Sequence, residues 1–185
     1  MTGGLVLAAG GSSRFGSPKQ LAQLRGRPLL QHAVDAMAAV EAIDDMVVVL
    51  GAEAEAIAAA IDLGRGRAVT CANWQQGQAA SLRCGLSALA GRAPVVVVLG
   101  DEPGVTPEAI AAALHCAGGG SARATYDGRP GHPVVLGPDA LARVGELSGD
   151  RGFRDLLGGA RSFEAGRLAD PIDIDTPQDL EKITP

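Results

Sequence analysis

Gly4-Leu5-Val6-Leu7-Ala8-Ala9-Gly10-Gly11-Ser12-Ser13-Arg14-Phe15-Gly16-Ser17-Pro18-Lys19 is the stretch on which the reading of this chain turns. It opens with a short run, Gly4–Ala8, whose apolar residues do not alternate with polar ones, as in a strand covered on both faces. It then breaks into two glycines and two serines. Such a loop offers backbone amides and two hydroxyls, with no bulky side chain to keep a polyphosphate from the main chain. Arg14 and Lys19 add two cations, so Leu7, Ala8, Ala9, Gly10, Gly11, Ser12, Ser13, Arg14 and Lys19 form a candidate nucleotide-binding loop. A Gly-Gly pair with bases nearby is by itself commonly a solvated turn. Its place directly after a buried strand favours the phosphate cradle.

Outward from this stretch the same strand pattern recurs at Met46–Leu50 and Val95–Leu99. Between these runs lie Ala-rich segments of helical length, Pro28–Val40, Ala52–Ile61 and Gln78–Ala90. The order β-α-β-α-β requires crossover connections, hence a parallel sheet. The fold class read from this is α/β: three layers, Rossmann-like, a mostly parallel sheet with helices on both faces. A weaker strand is expected at Ala68–Cys71, and a helix from Thr106 as N-cap to Cys116, stopped by Gly118-Gly119-Gly120. Arg123–Tyr126 and His132–Leu136 read as strands around a Gly128–Gly131 turn, followed by short helices near Asp139–Val144 and Arg151–Leu157. A final strand is expected at Pro171–Ile174, and Thr176-Pro177 reads as a helix start.

With 185 residues, 46% of them hydrophobic, the chain can bury a sizeable core as one domain over residues 1–185. The net charge of −5 comes from acids and bases mixed along the chain, without a Lys/Arg run, so no footprint for nucleic acid or anionic lipid is present. No stretch approaches the roughly 20 apolar residues of a spanning helix. The N-terminal apolar run lacks the basic region of a signal peptide. Cys71, Cys84 and Cys116 show neither CxxC nor Cys/His spacing, which argues against a zinc site or a disulfide framework. A reducing, cytoplasmic setting and a small-molecule partner are expected.

Two well-known phosphate loops do not fit. A Walker A loop places Lys after its second glycine, whereas Gly16 is followed by Ser17-Pro18. The dinucleotide fingerprint GxGxxG is also missing. Independent support for a site comes from Asp101, which follows the Val95–Leu99 run. Ligands of open parallel sheets gather outside the carboxyl ends of strands, where a carboxylate can hold a hard cation. Further along, Asp173 and Asp175 would share one side of a strand.

Leu7-Ala8-Ala9-Gly10 through Arg14, then Gly16, Pro18-Lys19 and Leu21, resembles the signature loop of the molybdenum cofactor nucleotidyltransferases. These belong to the wider superfamily of nucleoside-diphosphate-sugar pyrophosphorylases and MobA-like NTP transferases. The resemblance implies that fold, and catalytic roles for Arg14, Lys19 and Asp101. It also implies a divalent cation, Mg²⁺ or alternatively Mn²⁺, held by Asp101 and Asp175. In the family the segment around Asp101 reads Gly-Asp, an uncharged residue, then Pro; Glu102 departs from it, and its role stays open here. Asn73–Leu82 is similar to the family's nucleotide-facing loop, which implies base contacts for Gly77 and Ser81. Gly131-His132-Pro133 and Gly149–Arg154 look like the region that receives the acceptor, with His132 and Arg154 lining it.

Ala9, rather than glycine, resembles the cytidylyl-transferring, MocA-like members. The resemblance therefore implies CTP as donor, a molybdopterin-bound molybdenum cofactor as acceptor, pyrophosphate as product, and a molybdenum hydroxylase as downstream partner. Two other readings stay open from sequence. One is a related transferase using GTP or a sugar-phosphate acceptor; the other is a maturation chaperone for a molybdenum enzyme with little catalysis of its own.

Overall fold

The computed structural model describes residues 1–147, 149 and 155–183. Strand β1 (Gly3–Ala8) leads through a loop to a small ribbon, β2 (Gln23–Leu24) and β3 (Arg27–Pro28), and to helix α1 (Leu29–Ala38). β4 (Asp45–Leu50), α2 (Ala54–Ala60), β5 (Arg67–Thr70), α3 (Gln78–Ala88), β6 (Val95–Leu99) and α4 (Pro107–Ala117) continue the alternation. After them come β7 (Ala122–Tyr126), β8 (Arg129–Leu136), α5 (Pro138–Ala142), β9 (Arg161–Glu164) and α6 (Pro177–Ile183). One seven-stranded sheet runs in the order β5-β4-β1-β6-β8-β7-β9. β5, β4, β1 and β6 are mutually parallel; β8 is antiparallel to β6 and β7, and β9 runs parallel to β7.

The pleat divides each central strand between two cores. Val6, Val48, Val96 and Val98 pack with Leu30, Met37, Ile57 and Ile110, from α1, α2 and α4. Leu5, Leu7, Val47, Val49 and Val97 pack with Leu82 of α3 and Ala140 of α5 on the opposite face. Both faces are covered, so every residue of β1 is buried and no polar position is needed. Burying each Val or Leu of this kind is worth about 1.5–3 kcal/mol. The fold is thus the expected three-layer, Rossmann-like α/β arrangement, a mostly parallel sheet with helices on both faces. At α4 the expected cap is present, with Thr106 Oγ1 accepting from the Ala109 amide at 3.2 Å and Gly118 in the left-handed region.

Two local expectations are corrected, and one strand was not foreseen. Pro171–Ile174 is not a strand of the sheet: the Asp170 amide donates to Gly104 O and the Ile174 amide to Asp101 O, so this segment follows the loop after β6 instead of a ladder. The edge position belongs to β9, whose Arg161-Ser162-Phe163-Glu164 is mostly exposed and therefore carries no apolar run to read. The β7–β8 turn is Asp127-Gly128, with φ of 50° and 76°, not Gly128–Gly131. An Asp-Gly pair with both φ positive matches the twist of a two-residue hairpin, which leaves Arg129 and Pro130 free to extend β8. The expected helix at Arg151–Leu157 falls largely outside the described residues. Among those described, no helix is long and apolar enough to cross a membrane.

Candidate functional site

β1 lies between β4 and β6, so the loop that leaves Ala8 emerges at the centre of the sheet's carboxyl edge. Gln20 sets its shape. This side chain is 4% exposed, and its Nε2 donates to Ala8 O at 2.9 Å and Gly10 O at 3.1 Å. Ser12 Oγ donates to Gln20 Oε1 and accepts from the Lys19 amide, both at 3.1 Å. The two ends of the loop are therefore stitched together, and the short 3₁₀ turn Lys19–Leu21 carries Lys19 back beneath Gly10–Ser13. Sequence reasoning missed Gln20; its only signal is a polar residue between Lys19 and Leu21, where the chain must turn back onto the strand end.

Under the loop, three distant segments meet. Lys19 Nζ donates to Asp101 Oδ2 at 2.6 Å, to Asp175 Oδ1 at 3.1 Å and to Ile174 O at 3.0 Å. Arg14 Nη2 reaches Asp175 Oδ2 at 2.7 Å, although its side chain is 69% exposed. Burial by itself would lower the Lys19 pKa, but the Asp101 and Asp175 carboxylates outweigh it and hold the ammonium above its ordinary value. Asp101, Asp173 and Asp175 each offer a carboxylate oxygen within 4.8 Å of the others. Asp173 is pushed up to about 6 by lost hydration, then by the Asp101 and Asp175 charges. An all-oxygen set of this kind suits a hard divalent cation. The absence of a strand at Pro171–Ile174 does not prevent it: Ile174, fully buried with Leu24 and Leu29 and flanked by Phe15, anchors the segment so that Asp173 and Asp175 reach Asp101.

Two adjoining clefts open here, of about 240 and 510 Å³, sharing Leu7, Gly10, Gly11, Ser13 and Asp101. The first is lined by Arg14, Lys19 and Asp175, the second by Ala9, Trp74, Gly77 and Ser81. Trp74 forms a wall of the second cleft because two glycines make room for it. A Cβ on Gly11 would lie 2.6 Å from its ring, and one on Gly51 would lie 2.3 Å from Ala9 O and 2.6 Å from the indole. Gly77, at φ 99°, turns the chain from the Trp74–Gln76 turn into α3, whose first turns present Gln78 and Ser81.

The structure thus brings together every residue of the loop, Asp101, Asp175, Gly77 and Ser81. It does not bring His132 to either cleft. His132 Nδ1 lies 3.1 Å from Glu102 Oε1, and the Tyr126 hydroxyl donates to His132 O at 2.6 Å. Glu102 therefore turns away from Asp101 and toward β8 instead of joining the carboxylate cluster. Burial, followed by the charges of Glu102, Asp170 and Glu164, pushes Tyr126 up to about 12. Arg154 lies outside the described residues.

Among known proteins, the chain is 34% identical to nicotine blue oxidoreductase of Paenarthrobacter nicotinovorans, over 83% of this chain and 80% of that protein. It is 42% identical to the bifunctional protein GlmU of Mycolicibacterium vanbaalenii, over 54% of this chain but 22% of that much longer protein. Its structure superposes on the crystal structure of Rv0371c from Mycobacterium tuberculosis with a TM-score of 0.85 and 30% identity, covering 98% of this chain and 96% of that one. A manganese complex of Rv0371c matches at a TM-score of 0.78 and 28% identity, over 98% and 97% of the two chains. The MobA-like NTP transferase domain family matches residues 4–165, from β1 through β9, and so takes in the sheet, the loop and Asp101. This chain belongs to the MobA-like NTP transferase family.

Proposed function

We propose that residues 1–185 act as a single nucleotidyltransferase domain that transfers CMP from CTP to a molybdopterin-bound molybdenum cofactor, releasing pyrophosphate. The observation that carries the transferase reading is the convergence of Lys19, Asp101 and Asp175 beneath the glycine-serine loop, although 82 residues separate Lys19 from Asp101 and 156 separate it from Asp175. The cytidine and molybdopterin assignments rest on the resemblance around Ala9. In this reading the base occupies the Trp74–Gly77–Ser81 cleft, with the Ala9 methyl narrowing it toward a pyrimidine. The amides and hydroxyls of Gly10–Ser13 cradle the polyphosphate.

The acceptor is a phosphate monoester, anionic at neutral pH, so the protein has to position and neutralise more than to abstract a proton. Its oxygen bonds to the α-phosphorus as the bond from that phosphorus to the α,β-bridging oxygen breaks. Arg14 and Lys19 neutralise the departing pyrophosphate. Asp101 and Asp175 would hold the divalent cation, magnesium or manganese, with Asp173 beside them. When bound, that cation supplies charge neutralisation at the α-phosphate. The manganese in the Rv0371c complex is in keeping with this assignment.

Family membership alone does not fix the reaction, since one relative carries the name of an oxidoreductase. The carboxylate cluster beside the phosphate loop favours transfer, because a divalent cation held there would neutralise charge on a triphosphate. The test is pyrophosphate release by purified protein with CTP, GTP or other triphosphates, a molybdopterin or sugar-phosphate acceptor, and Mg²⁺ or Mn²⁺. Metal-dependent release, fastest with CTP and molybdopterin, is the expected result. Faster turnover with GTP would reject the cytidine assignment, and no release with any acceptor would reject transfer and favour a chaperone in molybdenum-enzyme maturation.

A further inference from the structure

Lys19 uses its whole donor capacity on the very groups that a cation would need. An ammonium has three N–H donors, and here they meet Asp101 Oδ2, Asp175 Oδ1 and Ile174 O. The side chain is 12% exposed, so it is packed into this position and does not merely sample it. Arg14 makes a single contact with Asp175 Oδ2 from a side chain that is 69% exposed. A small divalent cation such as Mg²⁺ binds carboxylate oxygens at roughly 2.0–2.1 Å. An ammonium about 3 Å from those same oxygens would then stand against a second, doubly charged cation in a partly desolvated site.

Resting on the metal reading above, we propose that Lys19 is a resident competitor for the divalent cation: its ammonium holds Asp101 and Asp175, and the cation gains them only as Lys19 leaves. The loop provides the means of release. The Lys19 amide is bonded to Ser12 Oγ, so the ammonium is carried by the same short segment that faces the polyphosphate. A triphosphate over Gly10–Ser13 offers Lys19 a second anionic partner, and whatever draws Lys19 off the carboxylates raises their affinity for metal.

The experiment is a Mn²⁺ titration of the nucleotide-free protein, with free Mn²⁺ followed by electron paramagnetic resonance. Wild type is compared with Lys19→Met, Lys19→Gln, Arg14→Met and Asp101→Asn, each checked for folding by circular dichroism. Lys19→Met is expected to tighten Mn²⁺ binding by about tenfold or more, Arg14→Met by threefold at most, and Asp101→Asn is expected to abolish it. Lys19→Gln tests the same point should the Met variant misfold, since a neutral amide cannot replace the charge. A Lys19 variant within twofold of wild type, or an equal gain in Arg14→Met, would overturn the competition while leaving the metal reading intact. No Mn²⁺ binding by wild type or by either Lys19 variant would overturn both.

Discussion

Asp101 and Glu102 are neighbours in the chain, yet they serve two differently built regions. Asp101 meets Lys19, and through it Asp175, so its charge is shared among segments from both ends of the sequence. Glu102 turns the other way and pairs with His132, whose carbonyl is held by Tyr126. The first region is an open cleft in which cations and carboxylates face a glycine-rich main chain. The second is a small polar cluster between the loop after β6 and β8, apart from both clefts. Asp101 and Asp175 keep 25% and 33% of their side chains exposed beside the cleft, whereas Glu102 and His132, at 17% and 14%, tie the loop after β6 to β8.

The widest expected contrast lies at Asp101. Asp101→Asn should lower kcat for pyrophosphate release by 10²-fold or more, the usual scale for a lost group that stabilises transition-state charge. A rate within a few-fold of wild type would erase the distinction between the two regions. Next comes Gly51→Ala, whose new methyl would press on Ala9 O and the indole. Overpacking of this kind costs about 1–3 kcal/mol, read as a lower melting temperature. Trp74, the only tryptophan, should report the shift by its fluorescence.

Ala9→Gly should move the CTP-to-GTP ratio of kcat/KM toward GTP by about tenfold, in line with the worth of one methyl in a binding pocket. An unchanged ratio would show that the base is read elsewhere. At Glu102 a smaller effect is expected. Glu102→Gln should lower the melting temperature slightly while kcat and the CTP KM stay within about twofold of wild type, since it weakens a single hydrogen bond worth about 1 kcal/mol that lies apart from both clefts. A larger change in either constant would merge the regions that the structure separates.

The smallest effect is at the start of α6. Asp179 Oδ2 accepts from the Thr176 amide and hydroxyl while the Asp179 amide donates to Thr176 Oγ1, a reciprocal cap. The Thr176 hydroxyl and then Lys182 hold the Asp179 carboxyl well below the ordinary range. A lowered folded-state pKa gives stability that is present above the unfolded value, near 4, and fades as pH falls. Asp179→Asn should therefore lower the melting temperature at neutral pH, and the gap to wild type should narrow in acid.

Much of this was readable in the sequence because the physics was local. The apolar runs at Gly4–Ala8, Met46–Leu50 and Val95–Leu99 revealed parallel strands, since a strand covered on both faces tolerates no polar alternation. Thr106 as a cap and Thr176-Pro177 as a helix start were equally plain. The β9 edge was not legible, because a mostly exposed strand whose one apolar residue is Phe163 has no periodic signal. The Asp127-Gly128 turn was misplaced because the glycine and proline just after it, Gly131 and Pro130, lie inside β8.

The sequence by itself determined the α/β class, the loop at the end of β1 and the identity of the carboxylates worth watching, because motif spacing and hydrophobic pattern are properties of short stretches. Only the tertiary structure decided which of them meet. Asp173 and Asp175 reach Asp101 not along a strand but on an irregular segment pinned by buried Ile174. Glu102 was turned toward His132, and Lys19 was set among the carboxylates. Those outcomes depend on loop path and burial across residues from 30 to 156 apart, which no local pattern encodes.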